Sequence, residues 1–459
     1  MENITIEACA AEGKALTHWN GVVVFVPFAV PGDVVDIRVT KKSKNYYEGF
    51  VERIVTPSKD RLEPFCQHFG VCGGCKWQPL PYPMQLEAKR QQVYDQLVRI
   101  GHLNVPEIRP TIPSDKIQYY RNKLEFTFSS KRWLLKDEDI ESVPENDRMG
   151  LGFHVGKFFD KVLDIKHCYL QKDPSNDIRL FIKKYAVENG LDFFDIRQNV
   201  GYVRNMFIRT TDTGDLMVIM CFFYENREDR EKMLDAIAEA FPQITSLYYI
   251  INNKLNDSIG DQECILYKGE PTIRETMESL TFRIGPKSFY QTNSEQAYML
   301  YSVARDFAEL TGNEIVYDLY TGTGTIAQFV SGKAARVIGI EYVPEAIEDA
   351  KVNAAGNGIT NCEFFAGDMK DVLRRDFINE HGQPDVIILD PPRAGIHPDV
   401  AKVILDASPA RMVYVSCNPA SQARDLALFA DKYDITAVQP VDMFPHTQHV
   451  ENVCALRLR

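Results

Sequence analysis

Glu314-Ile-Val-Tyr-Asp-Leu-Tyr-Thr-Gly-Thr-Gly-Thr325, "EIVYDLYTGTGT", decides the fold. A short apolar run ends in a glycine turn, and a helical stretch follows. That is the context of a nucleotide-binding turn, where glycines let the backbone approach a ligand that a Cβ would obstruct. Nineteen residues after Gly322 the next run, "ARVIGIEYV", reaches Glu341, a carboxylate placed to accept the hydroxyls of a ribose. No Gly-Lys-Ser/Thr element is present, and the turn departs from G-x-G-x-x-G. Adenosine without a pyrophosphate, as in S-adenosylmethionine, therefore fits better than a dinucleotide. Further strands in "PDVIILDPP" and "RMVYVSC", with helical segments between, predict a doubly wound parallel sheet of Rossmann-like α/β class over 276–459.

Three segments of this region carry side chains suited to chemistry. "RMVYVSCNP" delivers Cys417 at the end of an apolar strand, in front of the strand-breaking Asn-Pro. Position alone favours a small buried hydrophobe. The carboxyl ends of α/β strands are also where ligands bind, so a nucleophile is the competing reading. "ILDPPRAG" places Asp390 where a strand runs out and Pro391-Pro392 forces a turn; a helix cap is the plain alternative. In "HTQHVENV" Glu451 stands beside His446 and His449, as a base or as a surface carboxylate.

Outward from this domain the character changes twice. Residues 1–60 alternate β-branched runs with Pro-Gly and Lys-Ser-Lys-Asn breaks, which predicts a small all-β barrel. Its breaks carry Lys41, Lys42 and Lys44 with Tyr46 and Tyr47, a combination suited to gripping phosphates and stacking bases. Residues 61–275 read as a central α+β domain. In it a helix from Met84 to Ile100 is expected to set Val93, Leu97 and Ile100 on one face. Cys66, Cys72 and Cys75 cluster in "CQHFGVCGGCKW", and Cys168 is the best distant fourth ligand. Four thiolates suit zinc or an iron–sulfur cluster, and spacing does not choose between them. The acidic stretch "KDEDIESVPENDR" (136–148) has no assigned role.

Bulk composition bounds the rest. A chain of 459 residues exceeds one ordinary core, so several domains are expected. There is no apolar run near ~20 residues and no signal pattern, which predicts a cytoplasmic protein. Ten cysteines in such a chain point to metal or catalytic use. The net charge of −12 argues against a protein coated in positive charge, although local patches decide nucleic-acid binding.

Together these segments resemble the bacterial RNA (uracil-C5)-methyltransferases that act on 23S ribosomal RNA. The resemblance spans nearly the whole chain: "VVVFVPFAVPGDVVDIRV", "CGGCKWQ", "YRNKLEFTF", "FYQTNSEQ", "DLYTGTGT", "LDPPRAG", "SCNP" and "HVENV", in the family's order. It implies an N-terminal TRAM barrel of OB-like form, a C-terminal class I S-adenosylmethionine-dependent domain, and a 4Fe–4S cluster on Cys66, Cys72, Cys75 and Cys168. It implies Cys417 as nucleophile and Glu451 as base. Gln291, Tyr320, Glu341, Asp368 and Asp390 match positions that contact S-adenosylmethionine or the target uracil. Thr325 stands where some relatives carry Asn. The implied partner is RNA, 23S rRNA first and tRNA second, for a monomer with no membrane or DNA partner. A redox-sensing RNA-binding protein without catalysis needs neither Cys417, Glu451 nor the glycine loop. A small-molecule methyltransferase leaves the barrel unexplained.

Overall fold

β-Branched runs broken by Pro-Gly and lysine-rich turns build the first sheet. Its strands are β1 (Ile4–Thr5), β2 (Ala8–Cys9), β3 (Lys14–Trp19), β4 (Val22–Pro27), β5 (Val34–Lys42) and β6 (Tyr46–Thr56), in the order β1-β5-β6-β4-β3-β2. Alternate residues Val24, Val26, Val35 and Ile37 face a small core, as the period of two requires. The computed structural model describes residues 1–459 except 136, 137, 140 and 157, with the backbone alone at 145 and 146. The acidic stretch 136–148 thus lies partly outside the described residues.

The second sheet holds β7 (Lys123–Ser129), β8 (Gly150–His154), β9 (Val162–Asp164), β10 (Val203–Thr210), β11 (Leu216–Phe222), β12 (Ser246–Ile251) and β13 (Ile265–Gly269). Its order is β13-β12-β11-β10-β7-β8-β9, antiparallel except between β11 and β12. Helices Ser175–Glu188 and Arg227–Ala240 cover it through Ile178, Ile182, Met233, Leu234 and Ile237. A hairpin, β14 (Ile273–Met277) and β15 (Leu280–Ile284), leads to the last sheet.

That sheet holds β16 (Ile315–Leu319), β17 (Arg336–Glu341), β18 (Cys362–Ala366), β19 (Val386–Leu389), β20 (Arg411–Ser416), β21 (Tyr433–Val441) and β22 (Glu451–Leu458). The order is β18-β17-β16-β19-β20-β22-β21. The first five run parallel, and β22 runs against both β20 and β21. Helices cover both faces, so central strands such as Val386–Leu389 are apolar throughout and buried.

One covering helix comes from far earlier in the chain. Tyr82–Tyr94 packs Val93 beneath the last sheet, and Leu97 follows it into the same core. Ile100, expected on that face, is instead 64% exposed. After Tyr94 the chain widens into a π-helical stretch over Asp95–Ile100, with Gly101 N–H bonding Gln96 O at 2.8 Å. An i→i+5 winding rotates the later residues off the 3.6 period that placed Ile100 inside. Among the described residues no helix is long and apolar enough to cross a membrane.

Candidate active site

The carboxyl ends of β16, β17, β18, β19 and β20 open on one edge of the last sheet, where α/β proteins bind ligands. β22 runs the other way, so its first residue, Glu451, starts on that same edge. The register pairs Ser416 with Asn452. Cys417, one step past Ser416, is thereby brought beside Glu451.

The glycine turn after β16 forms one end of the edge. Tyr320 takes a left-handed backbone (φ 66°), and Tyr320 and Thr321 N–H both bond Ile340 O at 3.0 Å. Gly324 (φ 75°) lies so close to Ala350 and Phe364 that a Cβ would meet both at 2.9 Å. Gly322 (φ 56°) faces open space, the room a ligand needs. Glu341 Oε2 accepts from Gly322 N–H at 3.1 Å, and Oε1 from Val343 N–H at 3.0 Å. The carboxylate is therefore fixed beside that opening. Asp318, fully buried, accepts from Thr321 Oγ1 and, at 3.0 Å, from Ala327 N–H. Its other oxygen has no partner. Asp368 caps the short helix Met369–Val372 and pairs with Lys370 at 3.0 Å, which holds its carboxyl below the usual range. An open glycine backbone, fixed carboxylates and an orphaned buried oxygen fit an adenosine carrying an amino acid.

The other end of the edge gathers Asp390, Arg393, Cys417 and Glu451. Asn418 joins two of the loops: its Oδ1 accepts from Ala420 N–H, capping Pro419–Phe429, and its Nδ2 donates to Arg393 O, both at 3.1 Å. Burial, with Glu451 and Asp390 nearby, pushes the Cys417 thiol up to about 11, and Arg393 opposes them. Glu451 is only 6% exposed, and burial beside Asp390 pushes its carboxyl to about 8. Asp390 rises to about 7 through burial and the proximity of Asp318. Gln291 reaches the scene through Tyr301, whose enclosed hydroxyl faces both Gln291 and Asp390. The structure thus gathers a thiol, two carboxyls whose titration is raised toward neutral pH and a guanidinium. Arg393 lies in the "ILDPPRAG" stretch, where the sequence pattern points only to Asp390.

The segment leading to Glu451 is tied down at nearly every residue. Lys89 and Asp442 form a fully buried ion pair. Asn293 Nδ2 donates to Met443 O at 3.0 Å, and Tyr120 Oη to Pro445 O at 3.0 Å. Lys76 and Trp77 N–H bond His446 O at 2.8 and 3.0 Å. Burial pushes His446 and His449 down to about 4, so both imidazoles stay neutral at neutral pH.

Cys66, Cys72, Cys75 and Cys168 line a single cavity of about 410 Å³. Among the described residues no group of three or more His, Cys, Asp or Glu is placed to hold a metal ion directly. Burial, with the neighbouring Cys72, Cys168 and Cys66, raises the Cys75 thiol to about 12. These four thiols line the cavity together, a donor set that zinc or an iron–sulfur cluster would use. Lys41, Lys42, Lys44, Tyr46 and Tyr47 stand at the tip of the β5–β6 hairpin. Lys41 lies 5.3 Å above the Tyr46 ring and 3.6 Å from Glu48, and Lys42 lies 5.8 Å above Tyr47.

Comparison with known proteins agrees with this architecture. Residues 207–459 match the family described as tRNA (Uracil-5-)-methyltransferase, and residues 2–51 match the TRAM domain. An uncharacterized RNA methyltransferase of Porphyromonas gingivalis is 59% identical over 455 residues, covering 97% of this chain and 98% of its own. One from Bacteroides thetaiotaomicron is 58% identical, covering 98% of this chain and 100% of its own. Among solved structures, the tRNA (uracil-54, C5)-methyltransferase of Pyrococcus abyssi, in complex with S-adenosyl-L-homocysteine, superposes with a TM-score of 0.76. It is 29% identical and covers 99% of this chain and 100% of its own. The chain belongs to the tRNA (uracil-5-)-methyltransferase family: it is an S-adenosylmethionine-dependent RNA methyltransferase with an N-terminal TRAM domain.

Proposed function

We propose that this protein methylates C5 of a uridine in 23S rRNA through a covalent bond between Cys417 and C6 of the base. The observation that carries the reading is the β20–β22 register, which sets Cys417 against Glu451 with Arg393 beside both. Uracil C5 is too weak a nucleophile to accept a methyl group unaided. Attack of the Cys417 thiolate on C6 moves electron density onto C5 and O4, giving an enolate whose C5 is nucleophilic. S-adenosylmethionine supplies the electrophilic methyl group. After transfer C5 bears both a methyl and a proton. Glu451 removes that proton, the C5–C6 double bond re-forms, and the sulfur leaves as the thiolate. Asp390 and Gln291 are assigned to the target base, and Tyr320, Glu341 and Asp368 to the adenosine and its methionine.

Both reacting groups must change state to work. Cys417 has to reach its thiolate, a change Arg393 favours. Glu451 has to be ionised to accept a proton, and exclusion of water keeps its carboxyl poised near neutral pH. The four cysteines are assigned to a structural 4Fe–4S cluster, supported by their arrangement around one cavity. Methyl transfer itself moves no net electron. The basic hairpin tip of the TRAM domain supports an RNA grip through Lys41, Lys42 and Lys44.

The TRAM domain together with the four-cysteine set supports ribosomal RNA as the target. A second reading, a uridine of tRNA, is favoured by one observation: the Pyrococcus abyssi enzyme, alike over the full chain, is a tRNA (uracil-54, C5)-methyltransferase. Mapping 5-methyluridine across all RNAs of a strain lacking this gene separates the two. The proposal expects one or more sites in 23S rRNA to lose the modification. Loss confined to tRNA would establish the second reading, and no loss in any RNA would refute both.

A further inference from the structure

We propose that Tyr119, backed by His167 and Tyr169, is a shelf on which a base of the RNA flanking the target uridine stacks. The inference rests on the RNA-methylating reading above and adds a contact to it. Tyr119 takes a left-handed backbone, φ 57°. A side chain this bulky rarely adopts that conformation, and where one does, the surroundings must hold it. Here Tyr119 N–H bonds Tyr169 O at 2.7 Å, and its hydroxyl lies 3.2 Å from His167 Nε2. A turn needing only this backbone would be served better by glycine or asparagine. The strained position instead carries an aromatic ring that remains 37% exposed.

The ring does not stand alone. Its centroid lies 6.1 Å from that of Tyr169 and 6.3 Å from that of His167, which is 4.4 Å from Tyr169. Phe65 continues the series, 5.3 Å from Tyr169 and 5.0 Å from His446. A ladder of rings thus runs from the surface to the segment that carries Glu451. The next residues fasten its outer end to the same site: Tyr120 Oη donates to Pro445 O at 3.0 Å, and Asn122 Nδ2 donates to Gln291 O at 2.8 Å. Tyr119 therefore adjoins residues that are fastened to the segments carrying Gln291 and Glu451. Lys116 and Lys172 border the same recess as Tyr119, where they pair with Glu295 and Asp212, and exposed Lys166 precedes His167. Held rings with the exposed Lys166 one residue away match a nucleotide whose base stacks while its phosphate meets positive charge. Stacking suits any unpaired base, since each has a π-face, whereas a base held in a duplex presents only its edge to this shelf.

The test uses the full chain, purified with its iron content measured, and two probes: the RNA fragment that carries the mapped 5-methyluridine, and an oligouridylate. Tyr119→Leu keeps bulk but removes the π-face, and should weaken binding of both by about 5- to 150-fold. Tyr119→Phe should bind like wild type, and neither variant should change S-adenosylmethionine affinity, iron content or melting temperature. Abasic substitution along the fragment should reveal one position beside the target where wild type loses affinity and Tyr119→Leu loses nothing more. Unchanged RNA affinity in Tyr119→Leu overturns the shelf. So does Tyr119→Phe failing as badly as Leu, which would place the effect in the hydroxyl's contact with His167. If wild type methylates uridine while Tyr119→Leu binds normally, only the shelf is wrong. If no RNA is methylated yet oligouridylate binding depends on Tyr119, only the functional reading is wrong.

Discussion

Replacing Lys89 with Met removes the cation from the most deeply enclosed ion pair at the site. Lys89 and Asp442 side chains are both 0% exposed, and the ammonium also donates to Phe444 O at 3.0 Å. In the variant Asp442 keeps its bonds from Tyr82 Oη, 2.8 Å, and Phe444 N–H, 3.0 Å, but its charge has no counterion. Breaking a buried pair from one side costs about 3–5 kcal/mol, chiefly the penalty of the stranded charge. For a folding unit of roughly 150–250 residues each kcal/mol lowers Tm by about 2–4 °C, so a loss of about 6–20 °C follows. Scanning calorimetry of the full chain reads it as a downward shift of the transition that contains the last sheet. Pairing the change with Asp442→Leu removes the stranded charge and should recover much of the loss. Because Asp442 anchors the segment ending at Glu451, the single variant should also lose methylation more steeply than RNA binding. A transition unmoved by Lys89→Met would refute this account of how the segment is held.

Three further outcomes follow from the same geometry. Glu451 titrates near 8 and serves as a base only when ionised, so single-turnover resolution of the adduct should fall about tenfold per pH unit below that value. A flat profile between neutrality and pH 8 would move the role elsewhere. Changing Lys41, Lys42 and Lys44 together to Gln should lower the slope of log K against log salt by about 2 on single-stranded RNA, with S-adenosylmethionine affinity unchanged. An unaltered slope would show that this hairpin tip is only a solvated surface. Protein purified without oxygen should be brown and hold about four iron atoms per chain, lost in Cys168→Ser. Stoichiometric zinc without iron would overturn the cluster.

The last sheet was legible because its strands are short, β-branched and apolar on both faces, and because Gly322 and Gly324 mark the turn after β16. The TRAM barrel was legible for a similar reason, the period of two between Pro-Gly breaks. Legibility failed where distant segments meet. That Cys417 faces Glu451 depends on a final strand running against its neighbour, and nothing local to "VENV" declares its direction. Lys89 and Asp442 lie 353 residues apart, and each alone reads as a surface charge. Arg393 passed as part of a turn because its effect on Cys417 arises only when Asn418 draws the two loops together. Ile100 was misplaced because a π-helical stretch leaves no mark in a pattern scanned at 3.6 residues per turn.

The covalent step is tested most directly by intact mass spectrometry of Glu451→Gln incubated with substrate RNA and S-adenosylmethionine. Glutamine cannot take the C5 proton, so attack and methyl transfer proceed and release stops. The account predicts a denaturant-resistant species, enzyme joined through Cys417 to RNA carrying one added methyl, and no such species when Cys417 is also changed to Ala. Methylation of RNA by Cys417→Ala alone, at any rate above background, would contradict it.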